Sequence, residues 1–401
     1  MPFRAAAWDR GRGLVAGRMT AVRIPLTLAA IAIGVASLGG QSSSPVPLDK
    51  LKLPSGFHIS VFAEGVASAR AMALGANGTV FVGSMSARGG PVYALVDRNG
   101  DGRADEVKIV ATGLQQPAGV AFHNGSLYVS STTRIVRLDD IEDKLDAPPA
   151  PVDVIKTLPQ AGGHTWRFIA IGPDQLMYIG MGAPCNVCER LDQPMFSTIA
   201  RMKLDGTGLE IFAHGVRNTV GFDWHPVTHD LWFTDNGRDE LGDDLPSDEL
   251  NVAPSPGLHF GFPYCHQGDS PDPDFGKKRP CSDFVPPAQK MGAHVASIGM
   301  RFYTGTMFPA AYRQAIFIAQ HGSWNRSVPA GYRVMVAKVD GRKVTSYEPF
   351  IEGFLQGTRS SSPRGATADQ FGRPADVLVL RDGSLLVSDD SGGRIYRVTY
   401  R

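Results

Sequence analysis

The feature that most constrains the fold is a short unit that recurs along the chain. In each copy, a turn containing Gly or Asp precedes a strand of about five residues, and the strand usually ends in small polar side chains. The copies follow one another at intervals of roughly 45 to 85 residues. The six strands are TVFVGS at Thr79, SLYVSS at Ser126, QLMYIG at Gln175, DLWFTD at Asp230, AIFIAQ at Ala315 and SLLVSD at Ser384.

These units predict the blades of an all-β, six-bladed β-propeller. Each small sheet has two apolar faces that it cannot bury alone, so the blades must pack side by side around an axis. The strand FHISVFA at Phe57 has no unit of its own, and we expect it to pair with the last blade and close the ring. The prediction is one domain over residues 51–401, with an Asp- and Pro-rich insertion, about 238–300, over one mouth.

Composition supports this fold and excludes other classes. The 46 glycines and 29 prolines fit many turns between short strands, and a hydrophobic content of 43% excludes disorder. With 40 basic against 39 acidic residues and no basic cluster, the chain is not expected to bind nucleic acid.

The amino-terminal segment has the pattern of an export signal. Basic residues precede an uncharged run, Ile24 to Leu38, which is shorter than the roughly 20 residues of a membrane span. We predict a signal peptide over 1–40, with 1–18 as a possible start-site artefact before Met19, and a linker over 41–50. The mature protein is expected to be periplasmic or secreted, without stable membrane insertion after cleavage; an uncleaved anchor is the alternative.

Export makes the four cysteines interpretable. Cys185 and Cys188 form a C-x-x-C, and Cys265 and Cys281 bracket a loop rich in Pro and Asp. In an oxidising compartment, two disulfides with sequence-local pairing are the simplest arrangement, and a four-cysteine zinc site is the alternative. Glu189 follows Cys188 where covalent haem attachment requires His, so this motif carries no haem.

Several polar stretches lie where propeller loops converge on the axis. Taken singly, each also fits a solvated turn or a capping residue, and the acidic run fits a solvated loop. Asp and Gly interleaved in such a run can also present oxygens to a hard cation. The stretches are GGHTWRF with His164, GVRNTVG with Arg217 and Asn218, the acidic run 235–251, HGSWNR with His321, Trp324, Asn325 and Arg326, and FGRPADV with Arg373.

A separate stretch, DRNGDGRADE, follows the spacing of a calcium-binding loop. Asp97, Asn99, Asp101 and Asp105 occupy four ligand positions, but the twelfth position, which should be Glu, is Lys108. A structural Ca²⁺ and a solvated hairpin turn are both compatible with this pattern.

Taken together and in this order, these motifs resemble the soluble PQQ-dependent glucose/sorbosone dehydrogenase family over about residues 50–400. The most specific matches are HTWRFIAIGPD, GVRNTVG, DNGRD…SDELN, HGSWNR and GRPADV…SDDSGGRIYR. The CNVC and PYC…C stretches look like the sorbosone-type, aldose sugar branch. The family is a six-bladed propeller, in agreement with the strand units.

The resemblance implies roles for individual residues. His164 matches the general base that takes a proton from the sugar hydroxyl, and Arg217 matches the cation beside the quinone oxygens. The other implied contacts are Asn218, Arg326 and Arg373 to PQQ, the backbone carbonyls of Gly237 and Arg238 to the Ca²⁺ that holds PQQ, and Asp248 and Glu249 to further calcium.

The chain also departs from the glucose branch. Ala183 stands where that branch has an Asp partner for the base, so His164 needs another orienting group. A second cofactor-facing Arg corresponds to Ala375, and a pocket Gln corresponds to Val220.

The sequence therefore predicts a quinoprotein that oxidises an aldose or sugar aldehyde by hydride transfer to PQQ, with Ca²⁺ as Lewis acid. Its electrons would pass to an external acceptor, a cytochrome or a quinone. Two other classes stay open. One is a metal-dependent propeller lactonase that uses ligands from 235–251, and the other is a non-catalytic sugar-binding propeller.

Overall fold

The computed structural model describes residues 46–401 except 87–88, 161 and 363–364. The predicted signal peptide and the first part of the predicted linker lie outside the described residues. Residues Pro47–Arg401 form one compact unit. Within the described part of the chain, no helix combines the length and apolar character needed to cross a membrane.

Nearly all regular structure is β-strand. The first sixteen strands are β1 (Phe57–Glu64), β2 (Ala69–Leu74), β3 (Val80–Ser84), β4 (Gly90–Val96), β5 (Glu106–Leu114), β6 (Val120–His123), β7 (Ser126–Ser130), β8 (Ile135–Leu138), β9 (Val152–Ile155), β10 (Ile169–Ile171), β11 (Met177–Met181), β12 (Thr198–Met202), β13 (Glu210–His214), β14 (Phe222–Trp224), β15 (Leu231–Asp235) and β16 (Ser247–Ala253). The others are β17 (Leu258–His259), β18 (Cys265–His266), β19 (Ser270–Pro271), β20 (Gln289–Ala293), β21 (Ser297–Phe302), β22 (Ile316–Gln320), β23 (Arg333–Asp340), β24 (Lys343–Ile351), β25 (Leu355–Ser362), β26 (Gly365–Gln370), β27 (Pro374–Val379), β28 (Leu385–Asp389) and β29 (Arg394–Tyr400). Short 3₁₀ helices span Leu48–Lys50, Ile141–Lys144, Cys281–Asp283 and Ala310–Tyr312.

The strands form six antiparallel blades, which confirms the predicted six-bladed β-propeller. The blades are β2-β3-β4-β5, β6-β7-β8-β9, β10-β11-β12-β13 with β17 added, β14-β15-β16-β20, β21-β22-β23-β24 and β27-β28-β29-β1. Two hairpins, β18-β19 and β25-β26, lie outside them. The strand β1 pairs with β29, Phe57 opposite Tyr400, so the ring closes as expected.

The second strand of each blade is its most deeply buried element. Every residue of β3, β11, β15, β22 and β28 is buried. A strand covered on both faces by neighbouring blades needs apolar residues at consecutive positions rather than in alternation. Runs such as LWFTD in β15 meet that need, and Trp232 is completely inaccessible to solvent.

The small polar residues that end these strands join one blade to the next. Their hydroxyls donate to main-chain oxygens at the start of the neighbouring blade: Ser130 to Arg167 at 2.5 Å, Thr234 to Ile298 at 2.6 Å and Ser388 to Arg70 at 2.8 Å. The blades approach closely there. A Cβ at Gly221 would lie 2.2 Å from the Ile298 oxygen, so only glycine fits. The recurrent small polar residue is thus an inter-blade contact.

The predicted insertion over 238–300 is wrong in its extent. Its residues Ser247–Ala253 and Gln289–Ala293 are strands β16 and β20 of the fourth blade. The segment between them, 254–288, contains the short strands β17, β18 and β19, and β21 of the fifth blade begins at Ser297. The run SDELN has two consecutive acids, which suggested a solvated loop. Both Asp248 and Glu249 are buried, and their carboxylates accept hydrogen bonds from buried donors.

Ring closure also buries a cluster of aromatic side chains. The Phe57 ring packs edge-on against Phe308, Tyr312, Phe350 and Tyr400, with centroids 4.8 to 5.1 Å apart. Such geometry adds to the free energy of burying the rings. The first strand is therefore held both by its ladder to β29 and by these contacts.

Candidate active site

A cavity of about 380 Å³ opens where the loops at one end of the blades converge. Most of its lining residues precede the first strand of a blade or follow the second, whereas Arg70, Asp248 and Ile298 lie within strands; among the described residues, every blade except the second contributes. Among the predicted site residues, the lining includes His164, Arg217, Asn218, Gly237, Asp248 and Arg373. The fold thus brings together residues that lie up to about two hundred positions apart in the sequence.

His164 is oriented by a main-chain oxygen. Its Nδ1 lies 2.9 Å from the carbonyl oxygen of Ala183, so Nδ1 carries the proton of the neutral ring and Nε2 does not. Burial, with a smaller effect from the charge of Arg217, lowers the pKa of His164 to about 4. The orienting group that replaces the missing Asp is therefore the backbone of the same residue, Ala183. Near neutral pH the ring is an unprotonated acceptor.

Arg217 is buried, and its guanidinium is held from three sides. Nε and Nη2 donate to the main-chain and side-chain oxygens of Asn186 at 2.8 and 2.9 Å. Nη1 donates to the Asn236 carbonyl at 3.1 Å, and Nη2 also donates to Asp239 at 3.1 Å. Burial lowers the pKa of Arg217, with Asp239 opposing the change. The guanidinium is fixed as one wall of the cavity.

A buried carboxylate fixes the backbone of the GVRNTVG stretch. Asp235 accepts hydrogen bonds from the main-chain N–H groups of Arg217 at 2.9 Å and Asn218 at 2.6 Å. Burial raises the pKa of Asp235 to about 6. The Asn218 amide then donates to Asn236 at 3.2 Å. Asp235 begins the acidic run 235–251 of the sequence, and in the structure it fixes the backbone of Arg217 and Asn218.

Asp248 lies beneath the Gly237 turn. Its carboxylate accepts from the main-chain N–H of Gly237 at 3.1 Å and of Ser297 at 2.9 Å, and from the Asn236 amide at 3.3 Å. Burial raises the pKa of Asp248 to about 7. This carboxylate orients the turn whose carbonyl oxygens are the predicted calcium ligands.

Two other predicted metal residues lie outside the cavity lining. The Arg238 guanidinium is buried and donates to Asp272 at 2.6 Å, and Asp272 also accepts from His266. Glu249 accepts from Asn251 at 2.9 Å, and burial raises its pKa to about 8.

The cavity lining also carries the guanidinium groups of Arg373 and Arg70. Arg373 donates to the main-chain oxygens of His321 and Gly322 at 3.0 and 2.9 Å, and its charge lies over the Tyr332 ring. Arg70 donates to Asp390 at 3.0 Å, and Asp390 also contacts His321 at 2.9 Å.

Arg70 and Asp390 were missed from the sequence. Arg70 lies within ARAMAL, which looks like an ordinary apolar strand. The available signal was an arginine at the entry to a first strand, as at Arg217 and Arg373.

Arg326 does not reach the cavity. Its guanidinium donates to the main-chain oxygens of Asp243 and Ala293 and pairs with Asp244, which ties two loops together. Its neighbour Trp324 does line the cavity, with 63% of its surface exposed at the mouth.

The calcium-like loop is not part of the cavity lining and is held by its own side chains. Asp97 accepts from the main-chain N–H groups of Gly100 and Gly102 at 2.9 Å, and Asp105 accepts from that of Arg98. Asn99 and Asp101 make equivalent bonds within the turn. Calcium binding at this loop stays a prediction.

Both predicted disulfides are present, Cys185–Cys188 and Cys265–Cys281. This excludes the four-cysteine zinc site. Over the described ranges of the chain, no three His, Cys, Asp or Glu side chains converge as a metal-binding cluster. The predicted calcium ligands at Gly237 and Arg238 are main-chain carbonyl oxygens, so they do not belong to such a side-chain cluster.

Comparison with known proteins gives matches over most of the chain. Residues 44–323 match the family model described as "Domain of unknown function (DUF7133)", and residues 274–401 match the model described as "TrAA12-like". An uncharacterized protein of Borreliella burgdorferi is 33% identical over 365 residues, which cover 87% of this chain and 91% of that protein.

Solved structures share the fold at low identity. The holo form of the pyranose dehydrogenase PQQ domain from Coprinopsis cinerea superposes with a TM-score of 0.73 and 18% identity, over 87% of this chain and 97% of that one. The PQQ-bound aldose sugar dehydrogenase from Streptomyces coelicolor gives a TM-score of 0.60 and 18% identity, over 87% of this chain and 100% of that one. The propeller is therefore of the kind found in soluble quinoprotein sugar dehydrogenases.

Proposed function

The chain belongs to the DUF7133 family, and we propose that it is a PQQ-dependent dehydrogenase of an aldose or sugar aldehyde. The observation that carries the proposal is the meeting of His164, Arg217, Asn218 and Arg373 in one cavity. They come from three separate stretches of sequence, and each matches a role in the soluble quinoprotein family. The similarity of fold to PQQ-containing sugar dehydrogenases supports the same activity.

The cavity suits a polyanionic planar cofactor such as PQQ. Arg373 is bonded to neutral main-chain oxygens, so its charge is available to a carboxylate within the cavity. Arg70 adds a second guanidinium beside it, partly balanced by Asp390. Together with Arg217 in the same lining, these groups would hold the cofactor carboxylates and oxygens. The Gly237 and Arg238 carbonyls would hold Ca²⁺, since main-chain oxygens are suitable ligands for it.

The residues of the chain would perform the acid–base part of the reaction. When bound, PQQ supplies the two-electron acceptor and Ca²⁺ the Lewis acid. His164 takes the proton of the sugar hydroxyl at Nε2, the nitrogen that is unprotonated in the neutral ring. The Ala183 carbonyl then stabilises the imidazolium through its bond to Nδ1–H. Arg217 would stabilise negative charge that develops within the cavity.

We extend the proposal to the compartment and the electron acceptor. Two disulfides suit an oxidising compartment, which supports a periplasmic or secreted protein. The acceptor would be an external cytochrome or quinone.

The test is reconstitution of the purified chain with PQQ and Ca²⁺. We expect saturable PQQ binding, measured by absorbance titration, and dye reduction with at least one aldose from a panel. His164→Gln should abolish dye reduction while PQQ still binds. A protein that binds no PQQ contradicts the proposal, and lactone hydrolysis without PQQ would favour the lactonase alternative.

A further inference from the structure

We propose that the disulfide loop, residues 183–188, positions His164 and Arg217 relative to each other, with Asn186 as its positioning residue. The consequence for turnover rests on the proposed function, whereas the positioning itself rests on contacts within the chain. The loop follows β11 and has no regular secondary structure of its own, and the Cys185–Cys188 disulfide closes it.

One end of the loop holds His164. The Ala183 carbonyl oxygen accepts both the main-chain N–H of His164 at 3.1 Å and the ring Nδ1–H at 2.9 Å. The two segments approach closely enough to require glycine. At Gly163, where φ is +86°, a Cβ would lie 2.7 Å from the Pro184 carbonyl carbon. The imidazole therefore takes its position and its tautomer from this loop.

The rest of the loop holds Arg217. The main-chain N–H of Ala183 donates to the Arg217 carbonyl at 2.7 Å. Three residues later, Asn186 accepts from the guanidinium twice, through its carbonyl and its side-chain oxygen. One short segment thus contacts the ring of the expected base and both the backbone and the charge of the expected cation.

The Asn186 amide extends the same network to the Gly237 loop. Its Oδ1 also accepts from the main-chain N–H of Asp239 at 2.8 Å, and its Nδ2 donates to the Asp239 carbonyl at 3.2 Å. Asp239 in turn pairs with Arg217 and accepts from Asn325 at 2.7 Å. Removing this amide leaves the Asp239 N–H without its partner and Arg217 with one fewer acceptor, a change that frees the guanidinium to move.

The disulfide explains how an irregular segment can act as a rigid support. It links the residues on either side of the Asn186–Val187 pair, so few conformations of the pair are compatible with the closed ring. Catalytic geometry is sensitive to displacements of about 1 Å, which can cost a hundredfold in rate. The Cys185–Cys188 disulfide therefore helps to keep the His164 ring and the Arg217 guanidinium in a fixed relative position.

The first experiment reads His164 directly, in the protein without added PQQ. Histidine is labelled with ¹⁵N, and the His164 signals are assigned with His164→Gln. In the native chain we expect the Nδ1–H tautomer and titration near pH 4. In Cys185→Ser/Cys188→Ser we expect a mixture of tautomers and titration closer to 6.5. The matched control is Cys265→Ser/Cys281→Ser, which removes the other disulfide and should leave the signals unchanged.

Unchanged His164 signals in a folded Cys185→Ser/Cys188→Ser protein would overturn the proposal. If that variant does not fold, Asn186→Ala, with both disulfides intact, carries the test. Under the proposed function it should lower kcat about tenfold or more, with the sugar KM unchanged. Asn186→Asp keeps the acceptor for Arg217 and should recover part of the loss. Equal kcat in Asn186→Ala and the native chain would contradict the assignment of Asn186.

The two proposals fail in different ways. A native chain that neither binds PQQ nor oxidises any sugar contradicts the proposed function, yet the tautomer of His164 still tests the disulfide loop. Conversely, the native chain could be an active PQQ-dependent enzyme while Cys185→Ser/Cys188→Ser leaves the His164 signals unchanged and Asn186→Ala leaves kcat unchanged. That result would support the proposed function and refute the role of the loop.

Discussion

The ring nitrogen Nδ1 of His164 lies 2.9 Å from the main-chain oxygen of Ala183. A carboxylate in that place would raise the pKa of the ring, whereas a neutral carbonyl allows burial to lower it to about 4. The ring of His164 is therefore neutral over the physiological pH range, with its Nε2 free to accept a proton.

We predict that the acidic limb of kcat/KM lies near pH 4. Below the pKa of His164 the ring is protonated and cannot accept the substrate proton, so activity is lost as the pH falls through about 4. The measurement is dye reduction from pH 3.5 to 8 with saturating PQQ and Ca²⁺. A limb near 6.5 would mean that the ring is not held as described.

Arg373→Ala should weaken PQQ binding. Loss of a charge-assisted hydrogen bond costs about 1.5–3 kcal/mol, which corresponds to an affinity roughly 10- to 100-fold lower. Absorbance titration provides the measurement. Arg359→Ala is the matched control, because that guanidinium is exposed and pairs with Asp369 on a hairpin. Equal PQQ affinity in Arg373→Ala and the native chain would contradict a contact to the cofactor.

Thr234→Val should lower the free energy of unfolding by about 1–3 kcal/mol. The substitution keeps the shape of the side chain but removes the hydroxyl that donates to Ile298 in the next blade, and it leaves that buried oxygen without this donor. Urea unfolding measures the change, and Thr234→Ser, which keeps the hydroxyl, should lie closer to the native chain. A valine variant as stable as the native chain would show that the inter-blade bond contributes nothing.

Phe57→Ala should destabilise the closed ring by about 3–5 kcal/mol. It removes the ring at the centre of the aromatic cluster and opens a void between the first strand and the fifth blade. Thermal and urea unfolding give the measurement. The control is Ile109→Ala on the outer strand β5, where 54% of the side chain is exposed. If Phe57→Ala and Ile109→Ala lowered the free energy of unfolding equally, the aromatic cluster would add no stability to the closed ring.

The lowered pKa of His259 should reduce the free energy of unfolding as the pH falls below about 6.5. Burial lowers its pKa to about 4, so between about pH 6.5 and 4 the unfolded chain binds a proton that the folded chain does not. Stability therefore falls as the pH drops through this window, by about 1–3 kcal/mol. The measurement is urea unfolding at pH 7 and 5. His259→Gln should reduce the difference between the two pH values, whereas His58→Gln, on an exposed position, should not.

The repeat pattern predicted the fold well because each blade satisfies the same local requirements. The turn, the buried second strand and its small polar end are all visible as residue types, and the Phe57 strand was correctly assigned to ring closure. The polar ends could not be interpreted from the sequence alone. Their partners are main-chain oxygens of the next blade, such as that of Ile298, and residue types do not reveal which carbonyl lies nearby.

The candidate site was predicted less completely than the fold. Motifs marked His164, Arg217 and Arg373, but Arg70 lies in an apolar strand and Asp390 follows one, so only the closed ring brings them to the cavity. Asp248 was expected at a calcium-binding position, with a solvated loop as the alternative for the whole acidic run. Its burial could not be predicted from local charge, because one of its hydrogen bonds comes from Ser297, which is distant in sequence.

The pairing of β1 with β29 also bears on the order of events during synthesis. The sixth blade takes one strand from residues 57–64 and three from residues 374–400, so it cannot assemble until its last strand has emerged from the ribosome. Until then the aromatic surface of Phe57 and the edge of β1 lack their final partners. Contacts of such high sequence separation make folding slow, so we expect closure of the propeller to be a late step.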